Sequence, residues 1–231
     1  MTTISYVKSP IQRAMDSISR ASAAMMAAGN EYSLTLINNS TMSWTFYVYQ
    51  QMPNQSSANV FSLAWFCSPF TIMPGNQITF QWTIDYTFVW GATGQLIPGV
   101  TFHASGQEPA NLVNANTTTF SNAPGPHLSV PAAGQPQGSL VITDASDVPN
   151  NVYSVGIGMG SAGTFVTSAG SNLTHTFTPT PTYWIAAGTN VQIGTVLNIA
   201  TITQNLQVTF PVNVYSVTCT LGPNNIWTQS A

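Results

Sequence analysis

The chain has 231 residues, of which 44% are hydrophobic and only 4% are charged, with three basic and six acidic side chains and a formal net charge of −3. This length supports one large domain, and the hydrophobic share argues against disorder, but a soluble domain usually has about 25% charged residues. So few Lys and Arg argue against nucleic acid as a partner, since phosphate binding needs clustered Lys and Arg side chains. The low charge also argues against enzymes that rely on many ionisable groups.

The charges divide the chain into a basic arm, residues 1–30, and an acidic body, residues 31–231. The three bases Lys8, Arg13 and Arg20 all lie in the first twenty positions, whereas the body holds five acids. Such asymmetry can mark an interaction tail, although a solvated helix without a specific partner would look the same.

The arm has the pattern of an amphipathic α-helix. Ser9 is a candidate N-cap before Pro10, Gln12 completes a capping box, and Gly29 is a typical residue for the end of a helix. Apolar residues recur at steps of three and four, which predicts one apolar stripe on a helix about 28 Å long. The side chains that we expect to mediate assembly are Ile11, Arg13, Ile18, Arg20 and Met25.

The arm does not resemble a secretion signal. Its charged residues interrupt any apolar core of a signal peptide, and no stretch of the chain approaches the length of a membrane span. We therefore expect the cytoplasm by default, with the cell surface or the exterior, reached by another export route, as the alternative.

From residue 31 onward the pattern is that of β-strands. The clearest is one long strand over residues 76–91, in which seven apolar residues, including Trp82 and Trp90, occupy the even positions and predict one buried face. Shorter strands are predicted over residues 32–36, 44–49, 60–66, 100–104, 139–143, 152–157, 164–167, 173–177, 191–202, 207–210 and 213–221. The Pro- and Gly-rich residues 122–138 fit a long loop between sheets. This spacing predicts a single all-β domain, an antiparallel β-sandwich or jelly roll.

Most motifs with chemical meaning have a structural explanation. The run Gly158–Gly163 fits a dinucleotide-binding pattern, but a strand follows it and no acid lies beyond Asp147, so we predict a hairpin turn. Cys67 and Cys219 are predicted to be free, since disulfides are rare without export.

The polar residues show no catalytic or metal-binding pattern. The histidines are scattered without ligand spacing, and Asp144 and Asp147 share a turn in which Asp commonly bonds the local backbone. We expect no catalytic residue, no cofactor and no metal.

The aromatic residues offer a different function. Tryptophans and tyrosines on a neutral surface could form a platform for sugars, and the candidates to face such a ligand are Trp44, Trp184 and Trp227. Trp82 and Trp90, by contrast, are expected in the core.

Five segments carry a resemblance to a known family: residues 4–8, 43–50, 60–66, 82–86 and 172–181. They resemble the rhizosphere-expressed RhiA proteins of rhizobia. The resemblance implies an abundant bacterial protein made under cell-density control near plant roots, and it implies no catalytic motif.

Three functions remain open. The first is a structural protein that self-assembles into a fibre, shell or inclusion, because a nearly uncharged surface lowers the repulsion between copies. The second is a module that binds glycans or another neutral ligand, and the third is a membrane-active sandwich with an inserting arm. We rank them in this order, since the arm lacks the Trp, Phe or Leu that membrane insertion favours.

Overall fold

The computed structural model describes residues 29–51 and 59–230. These residues form an almost entirely β structure, which confirms the predicted class. Its strands are β1 (Tyr32–Asn38), β2 (Thr45–Gln50), β3 (Phe61–Ser62), β4 (Phe66–Cys67), β5 (Gln77–Trp82), β6 (Tyr86–Gly91), β7 (Gly106–Ala110), β8 (Thr117–Ser121), β9 (His127–Leu128), β10 (Leu140–Asp144), β11 (Ser154–Met159), β12 (Ala162–Ser168), β13 (Thr174–Phe177), β14 (Tyr183–Gly188), β15 (Asn205–Val208), β16 (Ser216–Leu221) and β17 (Trp227–Ser230). The helix predicted for the arm, with its five assembly residues, lies outside the described residues.

Two sheets enclose the first core. The first sheet has the order β17-β16-β1-β5, and the second has the order β15-β14-β2-β4. Leu36 and Cys219 of the first sheet share a buried cluster with Val48 and Ile185 of the second. Because alternate residues of each strand point to this cluster, the two sheets pack as the layers of a sandwich.

A second pair of sheets, built from the middle of the chain, encloses another core. The third sheet has the order β3-β12-β11-β6-β7, and the fourth has the order β13-β10-β8-β9. Phe88 and Ile157 of the third sheet pack with Phe120, Ile142 and Phe177 of the fourth. Except for β3, the strands of this pair of sheets run consecutively from β6 to β13, and the remaining strands belong to the first two sheets.

The sheets are mainly antiparallel, as predicted, with two parallel pairings. β1 runs parallel to β16, and β8 runs parallel to β10. Parallel neighbours need long connections, and about 180 residues of chain separate β1 from β16. The jelly-roll order stays a prediction.

The long strand predicted over residues 76–91 is wrong, because it is two strands in different sheets. β5 pairs with β1 in the first sheet, whereas β6 pairs with β11 in the third. Trp82 is only 4% exposed, which confirms its place in the core, but Ile84 in the connection is 41% exposed. The alternation continues through the connection although the chain changes sheet there.

Other segments also differ from the prediction. Residues 191–202 form no strand: they make isolated bridges at Thr195 and Val196 and a short 3₁₀-helix, Ile199–Thr201, and they cover the outer face of the second sheet. Residues 100–104 contribute a single bridge at Thr101. The hairpin turn predicted within Gly158–Gly163 is confirmed, since Gly160 and Ser161, both with positive φ, join β11 to β12.

Candidate functional site

A surface groove lies at the end of the molecule where β1 begins. It has a volume of about 370 Å³, and its lining includes Tyr32, Ile84, Tyr183 and Phe210. Tyr32 and Tyr183 are the first residues of β1 and β14, Ile84 connects β5 to β6, and Phe210 follows β15. We call this the aromatic groove.

Stacked rings form the floor of the aromatic groove. The Tyr32 ring stacks on Trp82 with centroids 5.8 Å apart and planes 12° apart, and it meets Phe210 edge-on at 5.1 Å. The Tyr183 ring lies 5.0 Å from Trp82 and accepts a 3.3 Å hydrogen bond from Trp82 Nε1 on its hydroxyl. Such contacts add to the stability from area burial and hold the rings in one arrangement.

The floor carries no charge at neutral pH. Burial raises the pKa of Tyr183 to about 12, because the phenolate would lose its hydration there. The groove is therefore suited to an apolar occupant.

Two exposed acids lie beside the aromatic groove. Glu31 precedes Tyr32, and Asp85 follows the exposed Ile84. Thr83 Oγ1 donates a 2.7 Å hydrogen bond to Asp85 Oδ1. The body has no Lys or Arg side chain to pair with either acid, because every Lys and Arg of the chain lies in residues 1–20.

The three tryptophans predicted to face a ligand do not form a platform. Trp227 is only 5% exposed and packs on Phe46, with ring centroids 4.9 Å apart, so its prediction as a ligand-facing residue is wrong. Its place on β17 turns the ring into the first core.

The other two tryptophans are half-buried and held by neighbours. Trp44 donates a 3.1 Å hydrogen bond from Nε1 to Ser40 Oγ, and Trp184 stacks on Tyr49 at 6.3 Å. Among the ring contacts of the described residues, none joins any two of Trp44, Trp184 and Trp227.

Both cysteines are free and buried, which agrees with the prediction that they are not joined. Cys67 lies on β4 of the second sheet and Cys219 on β16 of the first. Burial raises the pKa of each thiol to about 12, so neither is a reactive thiolate at neutral pH.

Asp144 ends β10 and Asp147 lies in the turn after it, and both have distant partners, not the local ones we expected. Asp147 Oδ2 accepts hydrogen bonds from the backbone N–H groups of Asn122 and Ala123. Asp144 Oδ2 accepts one from the Gly170 N–H at 2.8 Å and contacts His175 Nε2 at 2.9 Å. The pairing of β10 with β13 brings His175 here, which a single sequence does not reveal.

Within residues 29–51 and 59–230, no three His, Cys, Asp or Glu side chains form a group that could hold a metal ion. No helix in these ranges has the length and hydropathy to cross a membrane.

Comparison with known proteins gives one clear likeness. The sequence model of the family described as RhiA matches residues 29–231. A curated relative, Protein RhiA of Rhizobium leguminosarum bv. viciae, is 59% identical over 209 residues, which cover 90% of this chain and 90% of the relative. No solved structure matches the chain.

Proposed function

The chain belongs to the RhiA family, and from that premise we propose that it is a non-catalytic structural protein that self-assembles into a fibre, shell or inclusion. In this proposal the arm of one copy lies in the aromatic groove of another. The same proposal includes production under cell-density control near plant roots and a cytoplasmic location before any export.

The observation that carries the proposal is the match between the groove and the arm. The groove offers an apolar aromatic floor with an exposed isoleucine, Ile84, at its edge. The arm offers the apolar stripe that contains Ile11, Ile18 and Met25. Most of the stability of helices in proteins comes from packing of an apolar face, so the stripe of the predicted helix needs a surface to cover it.

Charge supports the same pairing. Glu31 and Asp85 lie exposed beside the groove, and the arm carries Arg13 and Arg20 among its three bases. Exposed ion pairs contribute only about 0.2–1 kcal/mol each, so they orient the arm while the apolar contact supplies most of the stability.

A neighbouring copy is a better source of the arm than the same copy. Only Gly29, Asn30 and Glu31 separate the predicted helix of the arm from Tyr32, which itself lines the groove. An arm of the same copy would have to reverse its direction within these three residues. The arm of a second copy can enter without such a reversal, and repetition of this contact builds an assembly.

The surface of the body favours association. The chain has only nine charged side chains, so copies repel one another weakly. The body also exposes large apolar side chains such as Phe70, which is 67% exposed.

The proposal is tested on the full-length protein by light scattering and negative-stain microscopy at moderate concentration. The wild type should give ordered polymers, and Ile84→Asp should reduce them, because it places a charge at the edge of the aromatic groove. Val130→Asp is the matched control, since Val130 is 85% exposed and follows β9 of the fourth sheet.

Two results would refute the proposal. One is a monodisperse wild-type protein. The other is an Ile84→Asp protein that assembles as well as the wild type and the Val130→Asp control.

A further inference from the structure

A second concave surface lies beside β13, on the half of the molecule built from the third and fourth sheets. This polar cleft has a volume of about 660 Å³ and is bordered by β13, the end of β12 and the chain near Val60 and Gln95. The volume falls within the range of about 300–1,000 Å³ that small-molecule sites occupy.

The lining of the polar cleft is neutral and rich in hydrogen-bonding groups. Asn59, Gln95, Asn150 and Asn151 contribute amides, and Ser168 contributes a hydroxyl. Among the described residues, no Lys, Arg, Asp or Glu lines it. An ionised ligand would lose hydration there without gaining an opposite charge, whereas a ligand with many hydroxyl groups could pair with these amides.

Among the described residues of the lining, His175 is the one titratable side chain, and a buried carboxylate fixes its orientation. Its Nε2 lies 2.9 Å from Asp144 Oδ2, and the Asp144 side chain is fully buried whereas that of His175 is 11% exposed. A carboxylate oxygen can only accept, so Nε2 carries the proton of the neutral ring. Nδ1 is then an acceptor, and the part of the chain that the structure describes gives it no partner.

The buried pair has unused hydrogen-bonding capacity. Asp144 Oδ1 is buried and has no hydrogen-bond partner among the described residues. A buried acceptor without a partner costs about 1–3 kcal/mol. Asp144 does not line the cleft, so the acceptor of this pair that a hydroxyl donor in the cleft can reach is on His175, which does line it.

From this geometry we infer that the polar cleft binds a neutral saccharide. A sugar hydroxyl donates to His175 Nδ1, the amides of Asn59, Gln95 and Asn150 pair with other hydroxyls, and Leu173 contacts the apolar face of the sugar ring. Leu173 lines the cleft and is 45% exposed, which leaves its side chain free for that contact. This site is separate from the aromatic groove and does not depend on assembly.

The direct test is long-range ¹H–¹⁵N NMR of the histidine rings in the full-length protein. The probes are the methyl glycosides of glucose, mannose and galactose, with glucuronate as the charged analogue. We expect His175 in the Nε2–H form and its Nδ1 resonance to shift with at least one neutral glycoside. His127, which is exposed and bonded to the Gly125 carbonyl, should not shift.

Calorimetry on variants completes the test. His175→Ala should weaken binding of the responding glycoside about tenfold, the effect of about 1.4 kcal/mol, while His127→Ala should bind like the wild type. Because His175→Ala leaves Asp144 unpaired and can unfold the protein, Gln95→Ala serves as a second variant. Gln95 is exposed in the lining, so this change should keep the fold and weaken binding several-fold.

Three results would overturn the inference. The first is that none of the neutral glycosides shifts His175. The second is that both His175→Ala and Gln95→Ala, shown by circular dichroism to be folded, bind like the wild type. The third is tighter binding of glucuronate than of the neutral glycosides, which would contradict a neutral ligand.

Discussion

Trp82 holds the aromatic groove together. Its ring contacts five others, and its Nε1 donates to the Tyr183 hydroxyl. The rings in contact with it are Tyr32, Trp65, Phe66, Tyr183 and Phe210. Because these rings come from separate segments of the chain, one side chain links β1, β4, β14 and Phe210 beyond β15.

We expect Trp82→Ser to destabilise the protein by about 3–5 kcal/mol, the typical cost of removing a buried Trp. Thr83→Ser is the control, because serine keeps the hydroxyl that bonds to Asp85. Chemical denaturation should show a lower midpoint for Trp82→Ser and an unchanged one for Thr83→Ser. A Trp82→Ser protein with the wild-type midpoint would mean that this ring does not stabilise the core.

The cysteines should react only after unfolding. Burial raises both thiol pKa values to about 12, so at pH 8 the thiolate fraction in the folded protein is far below that of an exposed cysteine. Mass spectrometry after alkylation at pH 8 without reductant should show no label on the folded protein and two labels on the protein in denaturant. A mass two hydrogens lower, with no label in denaturant, would instead indicate a disulfide between Cys67 and Cys219.

The sequence identifies some groove residues but not their association. Alternation predicts that Trp82 is buried, because the alternating pattern depends only on adjacent positions in β5. The meeting of Tyr32, Tyr183 and Phe210 depends on which strands pair, and these residues are more than 25 positions apart from one another. Trp227 is the opposite case, because it is buried although its neighbours in the sequence are mostly polar and do not indicate a buried strand.

At the scale of elements, the alternation of β1 matches its burial, and the bounds of β10 and β11 also follow the prediction closely. β14 does not follow from the pattern, because its sequence, YWIAAG, is largely buried and includes two alanines, which are depleted in strands. Residues 191–202 are rich in β-formers but lie over the outer face of a sheet, where side-chain burial does not require strand pairing.

The connection between β5 and β6 shows why pattern alone cannot assign a sheet. Residues on both sides of it keep the same period of two, since strands of either sheet have one face towards a core. The change of sheet occurs within Thr83–Asp85, and it is set by the partners β1 and β11.

Gly156 in the middle of β11 is required by close packing of neighbouring strands. A Cβ at this position would collide with the carbonyl oxygen of Phe165 on β12. We expect Gly156→Ala to lower the melting temperature by several degrees, since the backbones of β11 and β12 would have to move apart. Gly125→Ala should leave it unchanged, because nothing lies within 4 Å of a Cβ there. Equal melting temperatures for the two variants would contradict this reading.

At the scale of the whole molecule, we expect removal of residues 1–29 to leave a folded β body and to abolish assembly. Among the described residues, both cores consist of side chains of the body, from Leu34 to Trp227. Circular dichroism should therefore keep its β signal, while light scattering should show a smaller particle.

Two outcomes would contradict this expectation for the truncated protein. Loss of the β signal would show that the arm is part of a core. An unchanged assembly size would show that the arm does not connect copies.

The parallel pairing of β1 with β16 sets the order of events during synthesis. Ser33 lies opposite Ser216, so the first strand has to wait for one of the last to be made. At about 5–20 residues per second, that wait is roughly 10–40 s, during which β5 is the one neighbour that β1 can have. The first sheet therefore stays incomplete over that interval, in which chaperones that recognise incomplete chains can act.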